Sequence, residues 1–316
     1  MLSTQKSLRY LYDDLSDDLK NHAPQYDHSL YPHMFMQDVT VLMFPYDVKD
    51  HLSIVSEEQR HLKIFDIAFD RRSYDRVHGV SEFLREVAYR VIYAGKCVVE
   101  IVYGDEWEAD KFSSFKLTII PHYSIIEKWG KNIQYVPEKF RKDDQKQIEL
   151  AGQNFVVFGE RTAKQYDLSK LSKLLMEYSK YSLPEVYLQG QQKEKPVNVD
   201  MDIFNHTGTV DFLTITKKVG WDGRYFVDGK ITDYFKVFRE LQFGRFVLSL
   251  RDELLNNLNY SLQKVEQELD VKIQIENNSP FTIERINAAE KRLETQCNLR
   301  EILREISWSH SKVYAD

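Results

Sequence analysis

The longest periodic signal in the chain begins at Thr232 and constrains the fold most. Val247, Leu250, Leu254, Leu258, Leu262 and Val265 keep helical spacing to about Glu268. Ahead of them Tyr234, Phe238, Leu241, Phe243 and Phe246 spread apolar surface almost all the way round the same helix. A helix of that kind must be covered on several sides, so the rest of the chain has to wrap it. Gly244 in its interior costs about 1 kcal/mol against alanine and marks close packing or a bend. After it, Val271–Ile275 alternates as a strand and Asn277–Pro280 reads as a turn, with Ser279-Pro280 suited to start a helix. Glu284–Ile306 is the expected second helix, with Leu293, Leu299, Ile302, Leu303 and Ile306 apolar.

The chain has enough apolar residues, 42% of 316, to bury a core in one large domain or two. Charge reaches 29%, yet aromatics stand at 13%, a combination that a disordered chain does not show. The 19 tyrosines suit half-buried surfaces such as subunit interfaces, and equally an aromatic-rich core. The net charge of −6 argues against stable wrapping or sequence-specific reading of duplex DNA. A surface past which DNA slides remains compatible with it.

Residues 1–35 read as an arm, with Leu8, Leu11, Leu15 and Leu19 at helical spacing and His22–His33 as loop. Met1–Asn21 contains Asp13, Asp14, Asp17 and Asp18 and no apolar stretch of the kind a secretory signal carries. No segment approaches the ~20 apolar residues of a spanning helix. Asp38–Phe44 reads as β, and His51–Arg72, with Leu62, Ile64, Ile67 and Phe69, as another strand. Ser81–Ala94 is a helix with Phe83, Leu84, Val87, Ala88, Val91 and Ile92 on one stripe, Ser81 as cap and Gly95 as its left-handed stop. Strands follow at Lys96–Tyr103, Phe115–Ile120, Ile133–Pro137, Ile148–Leu150 and Asn154–Phe158, separated by turn formers. The order predicts an α+β fold: an antiparallel sheet with packed helices, a long central helix and a C-terminal strand–turn–helix. Leu168–Tyr181 is a helix, Gln189–Val199 a loop, and Asp211–Val227 a β-rich piece holding the turn Gly220-Trp221-Asp222-Gly223. The expected segments are 1–75, an N-terminal arm and first strands; 76–165, the α+β part; 166–230; and 231–316, the long helix with its strand and helix.

No phosphate loop, dinucleotide fingerprint, nucleophile elbow or HExxH is present, and 12 glycines are too few for a phosphate-cradling loop. Asp200 and Asp202 form a DxD, a pair that holds divalent cations in glycosyltransferases but arises by chance in acidic chains. Glu100, Asp105, Glu106 and Glu108, followed by Lys111, gather at one strand end. Such a cluster either binds magnesium for phosphoryl transfer, as in a nuclease, or is a solvated acidic turn. The adjacent-strand (D/E)xK spacing is missing. Cys97 and Cys297 have no zinc spacing and fit a reducing compartment as small buried hydrophobes. His51, His61, His206 and His310 are scattered. Lys217, Lys218, Arg224 and Lys230 surround Trp221; basic residues interleaved with an aromatic either touch a phosphate backbone or form a solvated charged loop. The expectation is no enzyme, no metal and no cofactor. The alternatives are a metal-dependent nuclease using Glu100, Asp105 and Glu108, or a non-catalytic adaptor.

The C-terminal third carries a resemblance. Phe238-Arg239-Glu240-Leu241-Gln242-Phe243-Gly244-Arg245-Phe246, leading into Leu248-Ser249-Leu250-Arg251, resembles the long helix of tailed-bacteriophage portal proteins of the T4-like type. Val271–Asn278 is similar to the portal strand that ends in an asparagine-containing turn, and Phe281–Leu293 to the helix after it. Ile125–Trp129, Ile133-Gln134-Tyr135, Ile148-Glu149-Leu150 and Phe155–Phe158 follow the order of the portal wing, as does Ser81–Tyr103. The likeness covers roughly residues 80–306. The interval between Phe158 and the long helix is shorter than in that family, which implies a reduced stem and clip built from Leu168–Tyr181 and the Trp221 turn. The resemblance implies a structural subunit of a ring of about twelve copies at the capsid vertex, through which DNA is packaged and ejected and to which the tail attaches. It also implies as partners the major capsid protein, a terminase that hydrolyses ATP, neck and tail adaptors, and double-stranded DNA passing without sequence specificity. No membrane is implied. The implied location is the virion, and the host cytoplasm during assembly. On this reading Lys217, Lys218, Trp221, Arg224 and Lys230 are channel or clip candidates. Phe238, Leu241, Phe243, Phe246 and Leu250 are the subunit-packing candidates.

Overall fold

The computed structural model describes residues 30–44, 51–69, 75–104, 114–136, 141, 146–150, 154–181, 210–223, 232–295, 298–299 and 301–302. The elements in chain order are α1 (Leu30–Met43), β1 (Leu52–Val55), α2 (Gln59–Ala68), α3 (Arg76–Ala94), β2 (Cys97–Gly104), β3 (Ser114–Ile120), β4 (Ile125–Lys128), β5 (Lys131–Tyr135), β6 (Gln147–Glu149), β7 (Phe155–Phe158), α4 (Glu160–Tyr166), α5 (Leu168–Tyr181), α6 (Asp233–Leu269), β8 (Gln274–Asn277) and α7 (Ile283–Thr295). The fold is α+β, with antiparallel sheets and one long helix. Two compact units divide the chain, each assembled from separate stretches of sequence, and the boundary between Arg251 and Asp252 falls inside α6.

The first unit holds the sheets. α3 starts where the Asp75 carboxylate accepts the Val77 N–H at 3.1 Å, and it stops at Gly95, whose φ of 81° suits a residue without Cβ. Its buried face of Phe83, Leu84, Val87, Ala88, Val91 and Ile92 is the stripe that periodicity predicts. Ser81 is not the cap. It lies buried within the helix, its hydroxyl donating to the His78 carbonyl at 2.8 Å. β2 runs between β3 and β7, with Val98 opposite Ile120 and Val157. In place of a single sheet there are three: β3-β2-β7, β4-β5-β6 and the pair β1-β8. β1 and β8 lie more than two hundred residues apart in sequence, with Ile54 opposite Ile275.

The C-terminal part of α6 buries Leu254, Leu255, Leu258, Leu262 and Val265 in this unit. Its polar side chains close backbone groups elsewhere. The Gly159 N–H donates to Asn257 Oδ1 at 3.1 Å and the Arg161 N–H to Glu253 Oε1 at 3.0 Å, so α6 caps the start of α4.

The second unit contains α1, α5, most of α4, residues 210–223, the N-terminal part of α6, and α7. Here Phe246 stacks on Phe35 with centroids 5.9 Å apart and meets Tyr166 edge-on at 5.0 Å. Val237, Leu241 and Leu248 pack with Ile286, Ala289 and Leu293 of α7. α7 begins at Thr282, whose hydroxyl accepts the Arg285 N–H at 3.3 Å, rather than at Ser279-Pro280.

Four further expectations are corrected. Asp38–Phe44 is not a strand but the C-terminal part of α1 and its end: Phe35, Met36, Val39 and Met43 share a buried face, and the Thr40 hydroxyl bonds back to the Met36 carbonyl at 2.9 Å. Burial of that stripe outweighs the β preference of Val39, Thr40 and Val41. His51–Arg72 supplies only the four-residue strand β1, and then α2 buries Ile64, Phe65 and Ala68 at helical spacing. Residues 210–215 are helical, because Phe212 and Thr216, one turn apart, both face inward. The C-terminal strand lies at Gln274–Asn277, displaced toward the turn, and α7 ends at Thr295. Leu8–Leu19 and Gln189–Val199 lie outside the described residues.

Candidate functional site

Trp221 decides what the basic turn can do. Its ring is 1% exposed, packed against Phe35 at 5.1 Å and Phe212 at 5.4 Å, and its indole N–H donates to Asp38 Oδ2 at 2.9 Å. No face of that ring is open to stack on a base. The turn is pressed onto α6. Gly220 has φ 78°, and a Cβ there would lie 2.6 Å from the Arg239 carbonyl oxygen and 2.7 Å from the Phe243 nitrogen. Only glycine fits so close to helix backbone. The buried Arg239 guanidinium donates to the Trp221 carbonyl at 2.7 Å and to Thr216 Oγ1 at 2.5 Å. Burial lowers its pKa to about 10, and the negative charge of Asp222 pulls the other way.

Lys217 and Lys218 are exposed. Lys218 pairs with Asp167, whose carboxyl is held below the usual range by that hydrogen bond and charge. Arg224 and Lys230 lie outside the described residues. The structure therefore places two lysines on the surface and puts the tryptophan between them and Arg239 to structural use.

The aromatic stripe of α6 is likewise spent inside its own unit. Leu241, Phe246 and Leu250 are fully buried, Phe243 nearly so, and Phe238 packs against the α7 side. The aromatic rings that α6 leaves exposed are Tyr234 and Tyr260, the latter beneath Lys264 Nζ at 5.2 Å from the ring centroid. Tyr260 stands among polar positions, Asn256, Asn259 and Lys264, which is the signal that marks it.

Glu100 is 2% exposed in the middle of β2, opposite Thr118 and Phe155. Asp105, Glu106, Glu108 and Lys111 lie outside the described residues, as do Asp200, Asp202, His206, Cys297 and His310. Among the described residues no three His, Cys, Asp or Glu side chains are grouped to hold a metal. His51 and His61 are buried, and His61 Nδ1 lies 3.4 Å from the Ser56 hydroxyl. Burial pushes the Cys97 thiol up to about 12, so it stays protonated and unreactive at neutral pH. No helix among the described residues is long and apolar enough to cross a membrane.

Two features escape a reading by periodicity. One is the set of α6 side chains, Arg239, Glu253, Asn257 and Asn259, that bind backbone groups from distant stretches. The other is Trp129, 89% exposed at the tip of the β4–β5 hairpin. A tryptophan before glycine between two β runs, where Asn or Asp is the usual residue, is its signal. In comparison with known proteins, no family model matches the chain and no curated protein matches it.

Proposed function

We propose that the chain is the subunit of a ring-shaped portal at a capsid vertex, a conduit for DNA packaging and ejection and the point where the tail attaches. The observation that carries this reading is α6. It runs 37 residues without interruption, roughly 55 Å at the helical rise, straight through Gly244. It is followed by the short strand β8 and the helix α7, the succession on which the resemblance to portal proteins rests. α6 contributes residues to both compact units.

The net charge of −6 supports the same reading. A conduit for a polyanion works when the wall does not grip phosphates, and an acidic chain with scattered cations such as Lys217 keeps that interaction weak. On this reading the chain does no chemistry itself. A separate terminase hydrolyses ATP, and the capsid protein and neck adaptors are the other partners.

The test is the shape of the purified protein in negative-stain microscopy, with its mass from light scattering. Rings of about a dozen copies are the expected result. A strict monomer at micromolar concentration across all salt conditions overturns the proposal.

A further inference from the structure

We draw no further inference here: the strongest candidate, the surface patch at the tip of the β4–β5 hairpin where the exposed Trp129 ring stands between Lys128 and Lys131, carries nothing because nothing in the structure shows what covers it.

Discussion

Asn259 clasps the backbone of Ile275 with both ends of its carboxamide: Nδ2 donates to the Ile275 carbonyl at 2.8 Å, and the Ile275 N–H donates to Oδ1 at 2.9 Å. Ile275 sits opposite Ile54 in the β1–β8 pair, and the clasp satisfies the backbone groups on the strand's other edge. Replacing Asn259 with alanine removes two part-buried hydrogen bonds, a loss of about 2 kcal/mol at roughly 1 kcal/mol each. The urea midpoint should fall with an unchanged m value. Asn259→Asp should fall further, since a carboxylate then faces the Ile275 carbonyl. A midpoint unmoved by Asn259→Ala means that water replaces the clasp at no cost.

The portal resemblance implies Phe246 as a surface for a neighbouring subunit, whereas in the structure its ring packs on Phe35 and Tyr166. Phe246→Ala should therefore destabilise the protomer itself by about 3–5 kcal/mol, the range for emptying a buried aromatic site. Unfolding of the variant at a concentration too low for association measures this directly. Unchanged protomer stability with lost assembly would return Phe246 to the interface.

His122 makes the protein acid-sensitive in a defined window. Its half-buried ring, edge-on to Tyr123, is pushed down to about 4, first by desolvation and then by the positive charge of Arg90. The unfolded chain titrates near 6.5, above the folded value. Between the two the unfolded state binds more protons, so this contribution to stability is present above pH ~6.5 and is lost as pH falls toward ~4. His122→Gln should flatten the dependence of the urea midpoint on pH across that window. An identical slope in the variant assigns the acid sensitivity to other groups.

Where local pattern and tertiary burial agree, the elements were readable in advance. The stripe of α3, its stop at Gly95, the strands β2 and β3, and the length of α6 all follow from periodicity and turn chemistry. Where they disagree, tertiary burial wins over local preference. Val39, Thr40 and Val41 prefer strands, but Phe35, Met36, Val39 and Met43 find a shared buried face only as a helix. The three-way division of the sheets was also hidden, because β1 finds β8 across most of the chain and no local rule names a distant partner.

The candidate site divides the same way. Lys217 and Lys218 are exposed, as a charged surface reading requires, while Trp221 differs because burial is a property of what packs on it, here Phe35 and Phe212. Trp129 has the reverse history. As a residue type it belongs in a core, and only the left-handed turn at the open end of a hairpin sets it in water.

The sequence by itself determined that α6 exists and must be covered, since apolar residues nearly all round a helix leave no other stable outcome. Tertiary structure alone decided what covers it. Phe246 meets Phe35, Leu241 meets the α7 helix, and Arg239, Glu253, Asn257 and Asn259 take up backbone groups from distant stretches. The physical reason is that periodicity is a property of neighbours along the chain. The partners of a buried face are chosen by packing among elements that meet only after the chain has folded.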